Sequence, residues 1–194
     1  MGTRLAGDLP RVGTRRAFRP TTNERAVAER VVRRRAVLTV IAGAGFTFET
    51  SCLLRKLAPD MEIVFLKTHF GGEPGQDGLP PGKAYRVASF PVFTQPSRLG
   101  AIAAVWNTFW VTVGVILTRP IDLVVVVGAP HAVPMLLAGR ILGRPTIFIE
   151  NITRVEKLSL TGRIVRRLRL ASRLLVQWPG LQAREPGVAV GSIL

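Results

Sequence analysis

The chain has 194 residues, 47% of them hydrophobic, and carries 27 Lys and Arg against 12 Asp and Glu, a formal net charge of +15. That apolar content excludes a wholly disordered chain, and the length holds one domain with a tail. A lone cysteine, Cys52, and two histidines exclude a disulfide framework and a zinc cluster, while the charge asks for an anionic partner: nucleic acid, an anionic membrane surface or a phosphorylated ligand.

Residues 1–35 read as a basic, mostly disordered tail, in which Thr22-Asn23 cap a short helix through Val32 ahead of Arg33-Arg34-Arg35. Nothing before Arg35 has the apolar core of a signal peptide. From 36 to 194 the pattern alternates strand and helix. Ala36–Ile41 is a short continuous apolar run, as a buried parallel strand requires; Ala42-Gly43-Ala44-Gly45 follows, then a helix from Thr47 to about Ala58. Met61–Lys67 is a second strand, 69–83 a long Gly/Pro-rich loop, and Tyr85–Phe90 a third strand. Residues 99–118 carry no charge and form a helix. Then come strand Ile121–Val127, helix Ala132–Leu142, strand Thr146–Ile149, a basic helix Ser159–Leu170, strand Leu174–Gln177 and a short strand at Val188–Val190. This alternation predicts an α/β, Rossmann-like fold, a parallel sheet with helices on both faces.

In such a sheet, ligands bind outside the carboxyl ends of the strands. Four irregular stretches fall there: Gly43-Ala44-Gly45-Phe46-Thr47, Gly128-Ala129-Pro130-His131, Glu150-Asn151-Ile152-Thr153-Arg154 and Gln177-Trp178-Pro179. Taken singly, each is equally an ordinary polar loop. The Gly-x-Gly turn lacks the third glycine of a dinucleotide fingerprint, and Glu49 in the first helical turn makes an anion there less welcome, so a nicotinamide dehydrogenase is a poor reading. His131 reads either as a general base or as a neutral hydrogen-bonding residue.

Residues 145–194 carry a denser signal. The run "FIENITRVEKLSLTGRIVRRLRLASRLLVQWPGLQAREPGVAVGSIL" resembles the carboxyl-terminal half of the asparagine-linked-glycosylation fourteen family and its bacterial exopolysaccharide relatives. Those proteins show Ile-Glu-Ser-x-x-Arg-Val, Leu-Ser-Leu-Thr-Gly, Val-Gln-Trp-Pro-x-Leu and a closing Gly-x-Leu. Their first loop usually reads Gly-Ser-Gly-Gly-His-Thr-x-Glu. Here Thr47 and Glu49 match that loop and Phe46 replaces the histidine, which removes any proton-transfer role from that position.

The resemblance implies the amino-terminal, acceptor half of a split GT-B glycosyltransferase. A separate catalytic glycosyltransferase subunit would hold most of the UDP-sugar, and the pair would act as a heterodimer on a polyprenyl-diphosphate-linked sugar acceptor. The sugar transferred would be N-acetylglucosamine, or another such as glucuronic acid. No cofactor and no metal are expected, and no nucleic acid, since no binding motif accompanies the charge. The implied site has Glu150 and His131 as catalytic candidates, and Gly43, Gly45, Thr47, Glu49, Asn151 and Arg154 on the acceptor side. Glu150 and Arg154 are equally suited to pair with each other and fix the loop. Partner contacts are expected from Gln177, Trp178, Pro179, Val190, Ile193 and Leu194, the alternative being that this apolar terminus tucks back on its own sheet.

Helix 99–118 is long enough to span a bilayer, yet it joins two strands of one sheet, so an interfacial crossover helix is favoured over a span or plain core. Trp106, Phe109 and Trp110 suit the headgroup level, and Arg163, Arg166, Arg167, Arg169 and Arg173 add a cationic surface that would attract anionic lipid or a lipid diphosphate, or are merely a solvated face. The implied location is the cytoplasmic side of a membrane, plasma membrane in a bacterium and endoplasmic reticulum in a eukaryote. A peripheral adaptor that recruits a glycosyltransferase without touching substrate is the rival reading, and a self-sufficient nucleotide-binding enzyme a third.

Overall fold

A computed structural model of the chain describes residues 35–57, 61–76, 78–91 and 97–193. The expected helix before Val32, and Leu194, lie outside the described residues. Seven strands form one parallel sheet: β1 (Arg35–Ile41), β2 (Met61–Lys67), β3 (Lys83–Arg86), β4 (Ile121–Val127), β5 (Thr146–Ile149), β6 (Arg173–Val176) and β7 (Ala189–Val190). Five described helices join them: α1 (Ala44–Leu57), α2 (Arg98–Thr118), α3 (Ala132–Ile141), α4 (Leu160–Arg167) and α5 (Pro179–Arg184).

Continuous apolar strands follow from having both faces covered. Alternate residues of β1 serve different cores: Ala36, Leu38 and Val40 pack with the helices α2, α3 and α4, whereas Val37 and Ile41 pack with Leu53 and Leu54 of α1. β4 divides the same way, Val124 and Val126 against Val125 and Val127. The strand order is β3-β2-β1-β4-β5-β6-β7. Connections run outward from β1 in one direction and from β4 in the other, so right-handed crossovers place α1 on one face and α2 to α4 on the opposite one. The direction reverses between β1 and β4, where a doubly wound sheet opens its crevice.

Several boundaries differ from the sequence reading. β3 stops at Arg86 rather than running to Phe90, because other elements take the backbone of Ala88: its N–H donates to Asn107 Oδ1 of α2 (2.7 Å) and its carbonyl accepts from His131 Nε2 (3.0 Å). α4 ends at Arg167, not Leu170. Leu170 N–H donates to the Val165 carbonyl (2.9 Å) and Arg169 N–H to that of Arg166 (3.1 Å), a closing pattern that puts Arg169 in the left-handed region, φ 50°. α5 has no counterpart in the sequence reading; its proline sits at the first helical position, where the missing N–H is harmless.

α2 is turned inside out relative to an ordinary surface helix. Its buried positions are Ala104, Thr108, Thr112, Val115 and Ile116, small or hydroxylated for the most part. Leu99, Ile102, Trp106 and Trp110 face outward, the two tryptophans 57% and 61% exposed and stacked at 6.4 Å between ring centroids.

Candidate functional site

All four irregular stretches sit at the carboxyl edge of the sheet, and side chains tie them together around the switch point. The first turn is held from within. Gly43 adopts φ +105°, its N–H donates to Thr47 Oγ1 (3.1 Å), and an added Cβ would lie 2.8 Å from the Phe70 carbonyl oxygen. Its glycine is therefore required by the loop after β2 crossing over it. Gly45 faces open space. Gly128, at φ +58°, ends β4; a Cβ there would meet Asn151 Cβ at 2.9 Å and the Phe46 ring at 3.0 Å. The loops after β1, β4 and β5 thus converge on one glycine, and Phe46 is part of that packing.

A second knot lies beside it. Glu49 is buried, and its Oε2 accepts from Ile152 N–H and Gln177 Nε2, both at 3.1 Å. Gln177 also donates to the Glu150 carbonyl (3.0 Å), and Trp178 Nε1 donates to the Ile152 carbonyl (2.6 Å). Desolvation raises the pKa of Glu49, the nearby Glu150 charge adds to that, and the two hydrogen bonds oppose it. Glu49 staples α1 to the loops after β5 and β6.

Glu150 is held by internal hydrogen bonds in the same way. Its side chain is 0% exposed. Oε1 accepts from Asn151 N–H (3.0 Å), and Oε2 from both the N–H and the hydroxyl of Ser159 (2.9 and 3.0 Å). Ser159 in turn caps α4 by accepting from Gly162 N–H (2.9 Å). A Cβ on Gly162 would lie 2.2 Å from Glu150 Oε2, so the glycine of the Leu-Ser-Leu-Thr-Gly run makes room for this carboxylate. Glu150 anchors a helix start nine residues downstream, and among the described residues it forms no ion pair with Arg154.

His131 is 2% exposed, its ring edge-on to Phe90 (4.7 Å), with Nε2 donating to the Ala88 carbonyl. Burial lowers its pKa, against the opposing pull of that hydrogen bond. The ring clamps the segment that leads into α2, and Asn107, which binds the same Ala88 and which sequence reasoning missed, is its counterpart.

Gly45, the partly exposed Asn151, and the exposed Arg154 and Lys157 are among the rim residues open to solvent. Asn151 Oδ1 accepts from Thr153 N–H (2.8 Å) and turns the loop so that Arg154 points away from the core. Arg154 has no hydrogen-bond or ion-pair partner for its side chain among the described residues. Of the partner-contact candidates, Trp178, Pro179 and Val190 are exposed and Gln177 is buried. Ile193 is 4% exposed and packs in the α1-side core, so the terminus tucks back on its own sheet.

Residues 94–194 match the family model described as oligosaccharide biosynthesis protein Alg14 like. The chain is 31% identical over 105 residues to the mouse UDP-N-acetylglucosamine transferase subunit ALG14, a match covering 50% of this chain and 48% of that protein. It therefore spans about half the length of that curated relative. The crystal structure of Acinetobacter baumannii MurG superposes with a TM-score of 0.61 at 18% identity, over 80% of this chain and 44% of MurG. That likeness shows a shared fold. With three of the four irregular stretches lying within the matched residues, the chain belongs to the family of Alg14-like oligosaccharide biosynthesis proteins.

Proposed function

We propose that this chain is the membrane-associated subunit of a two-subunit GT-B glycosyltransferase. It presents a polyprenyl-diphosphate-linked acceptor to a catalytic subunit that holds the UDP-sugar, and N-acetylglucosamine or a sugar such as glucuronic acid is transferred. The observation that carries this reading is the outward apolar face of α2. A domain of this family with a rim built around Gly45, Asn151 and Arg154 also turns Trp106 and Trp110 away from its own core. Such a face lies in the headgroup layer and brings the rim to the depth at which a lipid diphosphate sits. Arg154 grips the diphosphate, and the base that deprotonates the attacking hydroxyl belongs to the partner, since Glu150, Glu49 and His131 are all committed to internal hydrogen bonds. The subunit works on the cytoplasmic side of the membrane.

The test is reconstitution of the purified chain with a candidate partner, a labelled sugar nucleotide and a prenyl-diphosphate acceptor. Transfer that needs both chains is expected. Equal transfer by the partner alone would reduce this chain to a recruiting adaptor.

A further inference from the structure

On the opposite edge of the sheet, away from the rim, lies a cavity of about 420 Å³ lined by Arg166, Arg169, Ser172, Arg173, Gly187 and Ala189. It opens between the carboxyl end of α4 and the starts of β6 and β7. The guanidinium of Arg166 is held by the Glu185 carboxylate and by the Pro186 carbonyl (3.0 Å). Arg169 and Arg173 have no side-chain partner among the described residues, so two uncompensated cations line the same cavity. Arg169 occupies the left-handed position that closes α4, where glycine is the residue favoured, and the Arg140 guanidinium donates to its carbonyl. Arg169 is the one non-glycine residue with a positive φ among the described residues, and it also lines this cavity. The surroundings are lipid-like. Because the crossover helices run antiparallel to the strands, the carboxyl ends of α2, α3 and α4 gather at this edge. Each carries an exposed aliphatic side chain near its end: Leu117, Ile141 and Leu168.

We infer that this cavity binds the phosphate of an anionic phospholipid headgroup, with Arg169 and Arg173 as ligands, Arg166 as a fixed wall, and Leu168 and Ile141 dipping into the acyl boundary. The site is separate from the acceptor rim and rests on the membrane association proposed above. It would hold the domain at two points, along α2 and at this corner, and so set its orientation on the surface. Anionic lipid attracts a basic side chain by an amount equivalent to roughly five-fold in affinity per residue.

The test measures binding of the full chain to phosphatidylcholine vesicles and to the same vesicles containing phosphatidylglycerol. Arg169→Gly and Arg173→Gln should each weaken binding to the phosphatidylglycerol vesicles by roughly five-fold, and leave binding to phosphatidylcholine alone unchanged. Arg169→Gly should melt no lower than the wild type, because glycine suits that backbone. Wild-type binding to both vesicles with no loss in either arginine variant would overturn the pocket and leave the membrane reading standing. Failure of the wild type to bind any vesicle would overturn both. Thermal stabilisation by soluble glycerol phosphate, lost in the arginine variants while their vesicle binding is unaffected, would make the occupant a free phosphate ester and refute the lipid assignment.

Discussion

Glu150 shows how a residue type suited to catalysis can serve the fold instead. Its two oxygens satisfy the Asn151 N–H and the N–H and hydroxyl of Ser159, so removing it strands donors that burial keeps from water. Glu150→Ala should cost about 2–4 kcal/mol, a fall in melting temperature on the order of 5–15 °C, whether or not a partner is present. Arg154→Ala, at an exposed side chain, should leave the melting temperature unchanged while cutting sugar transfer by the complex on the order of ten-fold or more. Equal transfer by wild type and variant would remove Arg154 from the acceptor site. His131 gives a pH signature. Burial depresses its folded-state pKa, so the unfolded chain takes up a proton before the folded one does, and ∂ΔG/∂pH is positive. The stability this residue contributes is present above the unfolded value of about 6.5 and lost as pH falls toward the folded one. Glu49 has the opposite sign: its raised pKa makes its ionised form a cost that acid relieves, and this is common to wild type and variant. His131→Gln should therefore flatten the decline below about pH 6.5 in melting curves. Parallel curves for the two proteins would show that the imidazole is not titrating there.

At the scale of the element, α2 carries the membrane prediction. Trp106 and Trp110 stand outside the domain's own core, so Trp106→Ser with Trp110→Ser should leave melting unchanged. Partition onto vesicles should weaken on the order of ten-fold per ring as apolar area is withheld from the bilayer. A matching drop in melting temperature would mean that the rings pack against this chain after all. The same helix explains why β3 is short. Asn107 of α2 and His131 at the start of α3 take the backbone N–H and carbonyl of Ala88, which the sheet would otherwise use.

For the whole molecule, the terminus gives the clearest test. Ile193 fills the core on the α1 side, and Gly191 N–H donates to the Val176 carbonyl (3.0 Å), extending the β6–β7 edge. Deleting residues 191–194 should therefore destabilise the domain by about 2–4 kcal/mol, lowering the melting temperature measured by calorimetry. A truncated chain that melts like the full one would return the terminus to a docking role. Exposed Trp178 and Val190 remain the partner-facing candidates at that edge, and Val190→Asp should weaken co-purification with the partner without changing stability.

Strand and helix order, the Rossmann-like sheet and the gathering of four irregular stretches at one edge were legible in the sequence, because each rests on local periodicity and on the handedness of crossovers. So was the family, through the runs around Leu158–Gly162 and Gln177-Trp178-Pro179. Only the tertiary structure decided which polar residues are tied into the fold by hydrogen bonds. A glutamate has the same one-letter presence whether its oxygens meet water, substrate or the backbone of Ser159, and the partner that settles its role lies nine residues along the chain. For Glu49 the donor, Gln177, is more distant still. The outward turn of α2 was equally hidden, since an uncharged helix has no polar face from which its rotation can be read, and the packing of Thr108 and Thr112 against the domain set it.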